Sequence, residues 1–210
     1  MAKKKGKKQK GKKPDYTTYI VLLILLVIVS VTTSRYIQSR RASNNSDVIE
    51  YNHFIFEKRG GMWHTQWQRD GDIYNLLLRF NPYEVENVTI TGGLDDRFIS
   101  SEVYVTFDPS YTATLTYVAL GAAELSLNMA RGLDITPVAA CTINITDACS
   151  NRPIINCTNT EQAVVYIRED DEPAGLYLQG NCITISGRGM EILRAVDRLL
   201  YAWYGIEKLE

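Results

Sequence analysis

Histidine is nearly absent from this 210-residue chain, where only His53 and His64 occur. No G-x-S-x-G and no Cys-His spacing of a nucleophile pair is present, so hydrolase triads have no foothold. No C-x-x-C occurs, which removes the close ligand pairs of a zinc site. A complete G-x-G-x-x-G and a P-loop are also missing. With 14 Gly and 6 Pro, the chain has too little of either for long disordered stretches in its body. No internal repeat is visible. One sign of charge is missing at the start: residues 1–13 hold eight lysines and no acid. Residues 42–210 lean the other way, with 23 acidic and 12 basic residues. The formal net charge of −1 conceals this division. A simple cytosolic globular enzyme and a general nucleic-acid binder are both excluded, the latter because an acidic body repels phosphate.

What is present begins with an apolar run. Tyr16–Ser34 is 19 residues without a charge, and Ile20–Val29 is wholly aliphatic. At 1.5 Å per residue it spans roughly 28 Å, near the ~30 Å of a hydrocarbon core. Tyr16, Tyr19 and Tyr36 stand near its ends, where amphipathic rings favour the interface. Residues 16–34 are therefore predicted as a single transmembrane helix that partners the lipid bilayer. The competing reading is a cleaved signal peptide, but Val31-Thr32-Thr33-Ser34-Arg35 is a poor match to a small-x-small cut. Eight lysines precede the run and three arginines follow it, so the N-terminus is expected in the cytoplasm and the body outside. The lysine tail lacks aromatics for base stacking, and attraction to anionic lipid explains it without nucleic acid. Lys10-Gly11 has the dipeptide of an archaeal prepilin cut, but Lys12, Lys13 and Asp15 would then enter a filament core. The expected organisation is a basic cytoplasmic tail (1–15), the membrane helix (16–34), a linker (35–47) and a body (48–210). A division of the body into lobes 48–108 and 109–210 is the alternative.

Outside the membrane, four clustered cysteines read as disulfides: Cys141, Cys149, Cys157 and Cys182. Two bridges allow three connectivities. The spacing favours Cys141–Cys149, which closes a short loop, and Cys157–Cys182. Four sequons lie on the same side, at Asn44, Asn87, Asn144 and Asn156, and are candidate glycosylation sites.

The body reads as strands, a helix, strands and a helix. Strands are predicted at 51–57, 62–68, 73–80, 87–91 and 102–107, with turns at Gly60-Gly61 and Asp70-Gly71. Asp108-Pro109 opens a predicted helix over 110–131, stopped by Gly132. It is apolar over most of its faces, with Glu124, Asn128 and Arg131 as its few polar positions. Strands at 133–143, 163–168, 175–179 and 182–186 follow, with an acidic turn at 169–174. A closing helix covers 189–204 and ends at Gly205. The fold class is α+β, one sheet with two packed helices; a mixed α/β arrangement is the variant.

Candidate chemistry is thin. Ser186-Gly187-Arg188-Gly189 joins a strand to a helix, and Gly187 and Gly189 are candidate anion-binding positions or a tight turn. Trp63-His64-Thr65-Gln66-Trp67 places both tryptophans on one strand face and His64 on the other. Trp63 and Trp67 are then core, or with His64 a ligand platform. Asp70/Asp72 and Asp170/Asp171/Glu172 read as solvated turns and not as a calcium loop. No metal and no cofactor are expected.

The runs Ala139-Ala140-Cys141-Thr142-Ile143-Asn144, Cys149, Arg152-Pro153-Ile154-Ile155-Asn156-Cys157, Gly180-Asn181-Cys182-Ile183-Thr184-Ile185-Ser186-Gly187 and Ala195-Val196-Asp197-Arg198-Leu199-Leu200-Tyr201 form one pattern. With Phe80-Asn81-Pro82-Tyr83-Glu84-Val85-Glu86-Asn87-Val88, it resembles uncharacterised archaeal single-pass membrane proteins with a cysteine-containing extracytoplasmic α/β domain. The resemblance implies an archaeal source and a cell-envelope location, and carries over no catalytic residue. The functional expectation is a membrane-anchored binding, structural or accessory protein of the envelope. Its partner is an envelope protein or a second copy, met by the helix 110–131 or the terminal helix. One alternative is an envelope enzyme acting on glycans through carboxylates near Asp95, Asp96 or Glu124. The other is a pilin-like filament subunit.

Overall fold

Three two-residue turns organise the first part of the body. Asn52-His53, Gly60-Gly61 and Asp70-Gly71 all have positive φ at both positions, the geometry that matches strand twist in a tight hairpin. They join β1 (Val48–Tyr51), β2 (Phe54–Arg59), β3 (Met62–Arg69) and β4 (Asp72–Leu78) into an antiparallel meander. The aromatic and β-branched run predicts one strand over 51–57. The chain instead reverses at Asn52-His53, because asparagine tolerates the left-handed region and the histidine is carried with it. In the computed structural model, residues 16–43, 47–93, 95–99, 102–110, 115–170 and 173–208 are described. Asn44, the lysine tail and part of the acidic turn lie outside them.

After β4 the chain leaves the meander through α2 (Pro82–Val85), a single turn. Asn81 caps it, and Glu84 returns the bond to the Asn81 N–H, a reciprocal box with proline at the first helical position. A second sheet follows, built from β5 (Thr89–Gly92), β6 (Glu102–Phe107), β7 (Thr136–Ala139), β8 (Val164–Glu169), β9 (Gly175–Gln179) and β10 (Cys182–Gly187). Its order is β5-β9-β10-β8-β6-β7, and it is mixed: β9 runs antiparallel to β10 and the other neighbours are parallel. The body is thus mixed α and β, but with two sheets where one was expected. The second sheet draws on both sides of residue 108, since β5 and β6 pair with β9, β8 and β7.

Two helices complete the body. α3 (Leu115–Asn128) continues as a π turn over Met129–Leu133. Gly132 does not stop it. Asp134 does, in the left-handed conformation with φ 57°. Gly132 serves packing: a Cβ there would meet the Tyr204 hydroxyl at 2.6 Å. The predicted strand 133–143 shortens to β7 because the π turn takes its first residue. α4 (Met190–Trp203) is enclosed, with Ile192, Leu193 and Ala195–Tyr201 all buried. β8, β9, β10 and α3 pack on it. The meander also reaches it: Phe56 meets Tyr201 edge-on at 5.8 Å, and Trp67 meets Tyr204 at 5.0 Å. A helix covered on this many sides leaves no face for a partner, which removes α4 as the expected partner surface.

The cysteines pair as Cys141–Cys149 and Cys157–Cys182, with Cα separations of 5.9 and 5.4 Å. The segment they staple runs alongside the six-stranded sheet. Cys141 bridges Ile154, and the Thr106 hydroxyl donates to the Ile155 carbonyl at 2.8 Å.

The N-terminal unit, Met1–Asn45, is separate from the body, Ser46–Glu210. It contains α1 (Tyr16–Ser43), 28 residues long, so the expected linker is helical as far as Ser43. Thr32 and Thr33 donate their hydroxyls to the carbonyls of Ile28 and Val29, which satisfies them within the helix. Among the described residues no helix is long and apolar enough to cross a membrane. In α1 the unbroken run of described side chains is Leu22–Thr33, all exposed.

Candidate functional site

The site grows from a free strand edge. β4 pairs with β3 on one side, and among the described residues no strand lies on its other side. The Asp70-Gly71 turn sets the register: Arg69 faces Asp72, and the bonded pairs then fall at every second residue. The backbone groups of Ile73, Asn75 and Leu77 therefore point outward. The next outward N–H, that of Arg79, is taken by the Asp197 carboxyl group at 2.8 Å. Edge strands in natural proteins carry lysines, prolines or bulges that discourage pairing. β4 has none of these between Ile73 and Leu78, and Ile73 and Leu77 are 63% and 47% exposed.

Helix α3 lies below this edge. One stripe of it is core: Val118, Gly121 and Leu125, continued by Met129. Gly121 lets Ile192 and Val196 of α4 approach closely, and a Cβ there would meet each at 3.3 Å. The rest of the apolar surface that the sequence displayed is not buried, and Leu127 is 49% exposed. The result is a groove of about 600 Å³ between β4 and α3, floored by Leu120, Ala123 and Leu127. Its ends are polar. Glu124 pairs with Arg79 at 2.5 Å at the Leu78 end of the strand. At the other end Arg69 donates to the Leu133 carbonyl at 2.9 Å, and Arg131 lines the groove nearby as an exposed cation. Asn128 accepts from the Tyr204 hydroxyl at 2.8 Å and fixes the floor to the core.

The residues singled out in the sequence sit elsewhere. Trp63 is buried on the inner face of the meander, and Trp67 donates its indole N–H to the Tyr204 carbonyl at 2.8 Å. His64 is on the opposite face, in a concavity of about 950 Å³ with Glu57, Gln66 and Asn75. Trp63 is thus on the face opposite His64, while Trp67 also borders the concavity. Gly187 packs on the first turn of α4, where a Cβ would meet the Glu191 backbone at 2.9 Å. Gly189 precedes the helix with φ 59°. Ser186 lies in β10 next to residues whose side chains alternate, on the face opposite Ile183 and Ile185. Among the described residues no cluster of His, Cys, Asp and Glu is placed to hold a metal.

The carboxylates named for glycan chemistry are engaged separately. Asp95 accepts from Arg97 at 2.7 and 2.9 Å, and this pairing holds its carboxyl at about 2, so it stays ionised. Glu124 belongs to Arg79. Asp96 is exposed in a 3₁₀ turn. Of the three described sequons, Asn87 and Asn144 are exposed and Asn156 is half-buried. Asn156 accepts from the Thr158 backbone and hydroxyl at 2.9 and 2.8 Å, and Asn87 accepts from Arg194.

Sequence reasoning missed the groove, because Asn75, Leu120, Leu127 and Arg131 meet only through the fold. Two signals pointed to it: a helix with more apolar surface than one core needs, and a strand without edge-protecting charge. Comparison with protein-family models, curated proteins and solved structures finds no match.

Proposed function

We propose that this chain is a membrane-anchored binding module of the cell envelope, engaging a protein partner along the β4–α3 groove. The observation that carries the binding part is the juxtaposition of a free, uncharged strand edge with the apolar face of α3. The anchor rests on the sequence, on the uncharged run Tyr16–Ser34, and not on a membrane-crossing helix among the described residues. The lysine tail sets the orientation, with the body outside, and the two disulfides suit an oxidising compartment. On this reading α1 ties the body to the bilayer and the acidic surface keeps it soluble.

Membrane fractionation tests the anchor: the protein stays in the pellet through alkaline extraction, and release into the supernatant would refute it. Photocrosslinking in native membranes tests the groove. A crosslinker at Asn75 or Leu127 yields a discrete adduct, whereas one at Ile143 on the disulfide loop does not. Equal yields at all three positions would remove the groove as the binding surface.

A further inference from the structure

We infer that the groove takes an extended segment of a partner protein as a fifth strand of the meander, antiparallel to β4, with an acidic residue at the segment's C-terminal end. This rests on the binding reading above and names the partner's chemistry. Three outward backbone sets, at Ile73, Asn75 and Leu77, offer the hydrogen bonds of strand addition. In a strand added there, alternate side chains face inward, in line with Tyr74 and Leu76, onto the floor of Leu120, Ala123 and Leu127. Small or branched apolar residues suit those positions, and polar ones suit the outward positions.

Direction follows from charge. Antiparallel to β4, the segment ends beside Asp72 and Leu133, where Arg131 lines the groove. At the other end the Arg79–Glu124 pair is already neutralised and offers no free cation. Asp72 is exposed at that end but does not line the groove, whereas Arg131 does, so a carboxylate lying in the groove meets the positive group. A second copy fits less well than a lone strand. Edge-to-edge pairing about a two-fold would bring both α3 helices into the same layer beneath the joined edges.

The test uses the full-length protein in nanodiscs and two peptides, both acetylated and amidated. One is Thr-Val-Thr-Val-Thr-Val-Asp and the other ends in Lys. Saturable binding of the Asp peptide, about tenfold tighter than the Lys peptide, is expected. Arg131→Glu reverses that preference. Asn75→Pro removes one outward N–H and, towards β3, only the 3.4 Å bond that the Gln66 side chain donates to Asn75, so the circular dichroism spectrum is kept and peptide binding is lost. If Asn75→Pro misfolds, hydrogen exchange on the unaltered protein decides. The peptide must protect the amides of Ile73, Asn75 and Leu77. Binding without that protection, or no binding of either peptide, overturns strand addition. A groove crosslink obtained alongside such a failure leaves the binding reading standing. Dimerisation through β4, seen as doubled mass abolished by Asn75→Pro, would overturn the lone-strand occupant.

Discussion

The Asp197 carboxyl group holds the backbone of Arg79: one oxygen accepts the Arg79 N–H and the Phe80 N–H, both at 2.8 Å. Tyr201, one turn along α4, donates its hydroxyl to the Phe80 carbonyl at 2.6 Å. Two side chains of the enclosed helix thus fix the point where the chain leaves the meander. Asp197 thereby occupies the outward N–H of Arg79, the next along that edge after Leu77.

Burial pushes the Asp197 carboxyl up to about 8, with the two N–H bonds opposing. The folded state then retains a proton that the unfolded state gives up near pH 4. This group's contribution is full below pH 4 and falls as pH rises towards 8. The expected slope is about 1.4 kcal/mol per pH unit. Urea unfolding of Asp197→Asn between pH 4.5 and 7.5 removes that slope. An unchanged slope would place the titration elsewhere.

Gly132→Ala drives a methyl into the Tyr204 ring, whose hydroxyl also bonds Asn128. The expected loss is about 1–3 kcal/mol, as for overpacking in a filled core. Thermal melts of Gly132→Ala and Gly93→Ala separate the two cases. Gly93 has open space around it and is predicted to be near neutral.

Reduction of the disulfides is predicted to destabilise the body by about 2–4 kcal/mol per bridge. Denaturant midpoints with and without reductant measure it. Non-reducing peptide maps should recover the peptides of Cys141 with Cys149 and of Cys157 with Cys182 joined.

Asn144 and Asn87 are both exposed, and Asn144 is the expected glycan carrier because its side chain is not tied to a neighbouring helix. Asn87 is held by Arg194 of α4, which also donates to the Glu84 carbonyl. Intact mass followed by glycopeptide mapping reads the occupancy. Modification confined to Asn87 would contradict the folded-state argument.

Much of the body was legible because its signals are local. Asp70-Gly71 and Gly60-Gly61 state their turns outright, and β6 and β10 begin where alternation and β-branching begin. The Cys141–Cys149 loop follows from an eight-residue spacing. Asn52-His53 was hidden because histidine is no turn former, and only the register of Ile49 opposite Phe56 reveals the reversal. The two sheets were illegible for a different reason. Nothing between Phe80 and Asn87 announces a change of sheet; the change depends on Asp197, over a hundred residues away. The groove shares that origin, being a gap bordered by β4 and α3 that no spacing encodes.

The enclosure of α4 bears on the order in which the body can be made. Ten strands precede it in the chain, and at ~5–20 residues per second they emerge over many seconds before it does. Until residues 190–204 arrive, Phe56 lacks the Tyr201 ring and Trp67 lacks Tyr204, keeping only Tyr74 of the meander. The two sheets therefore stay unclosed until the last helix of the body has been made.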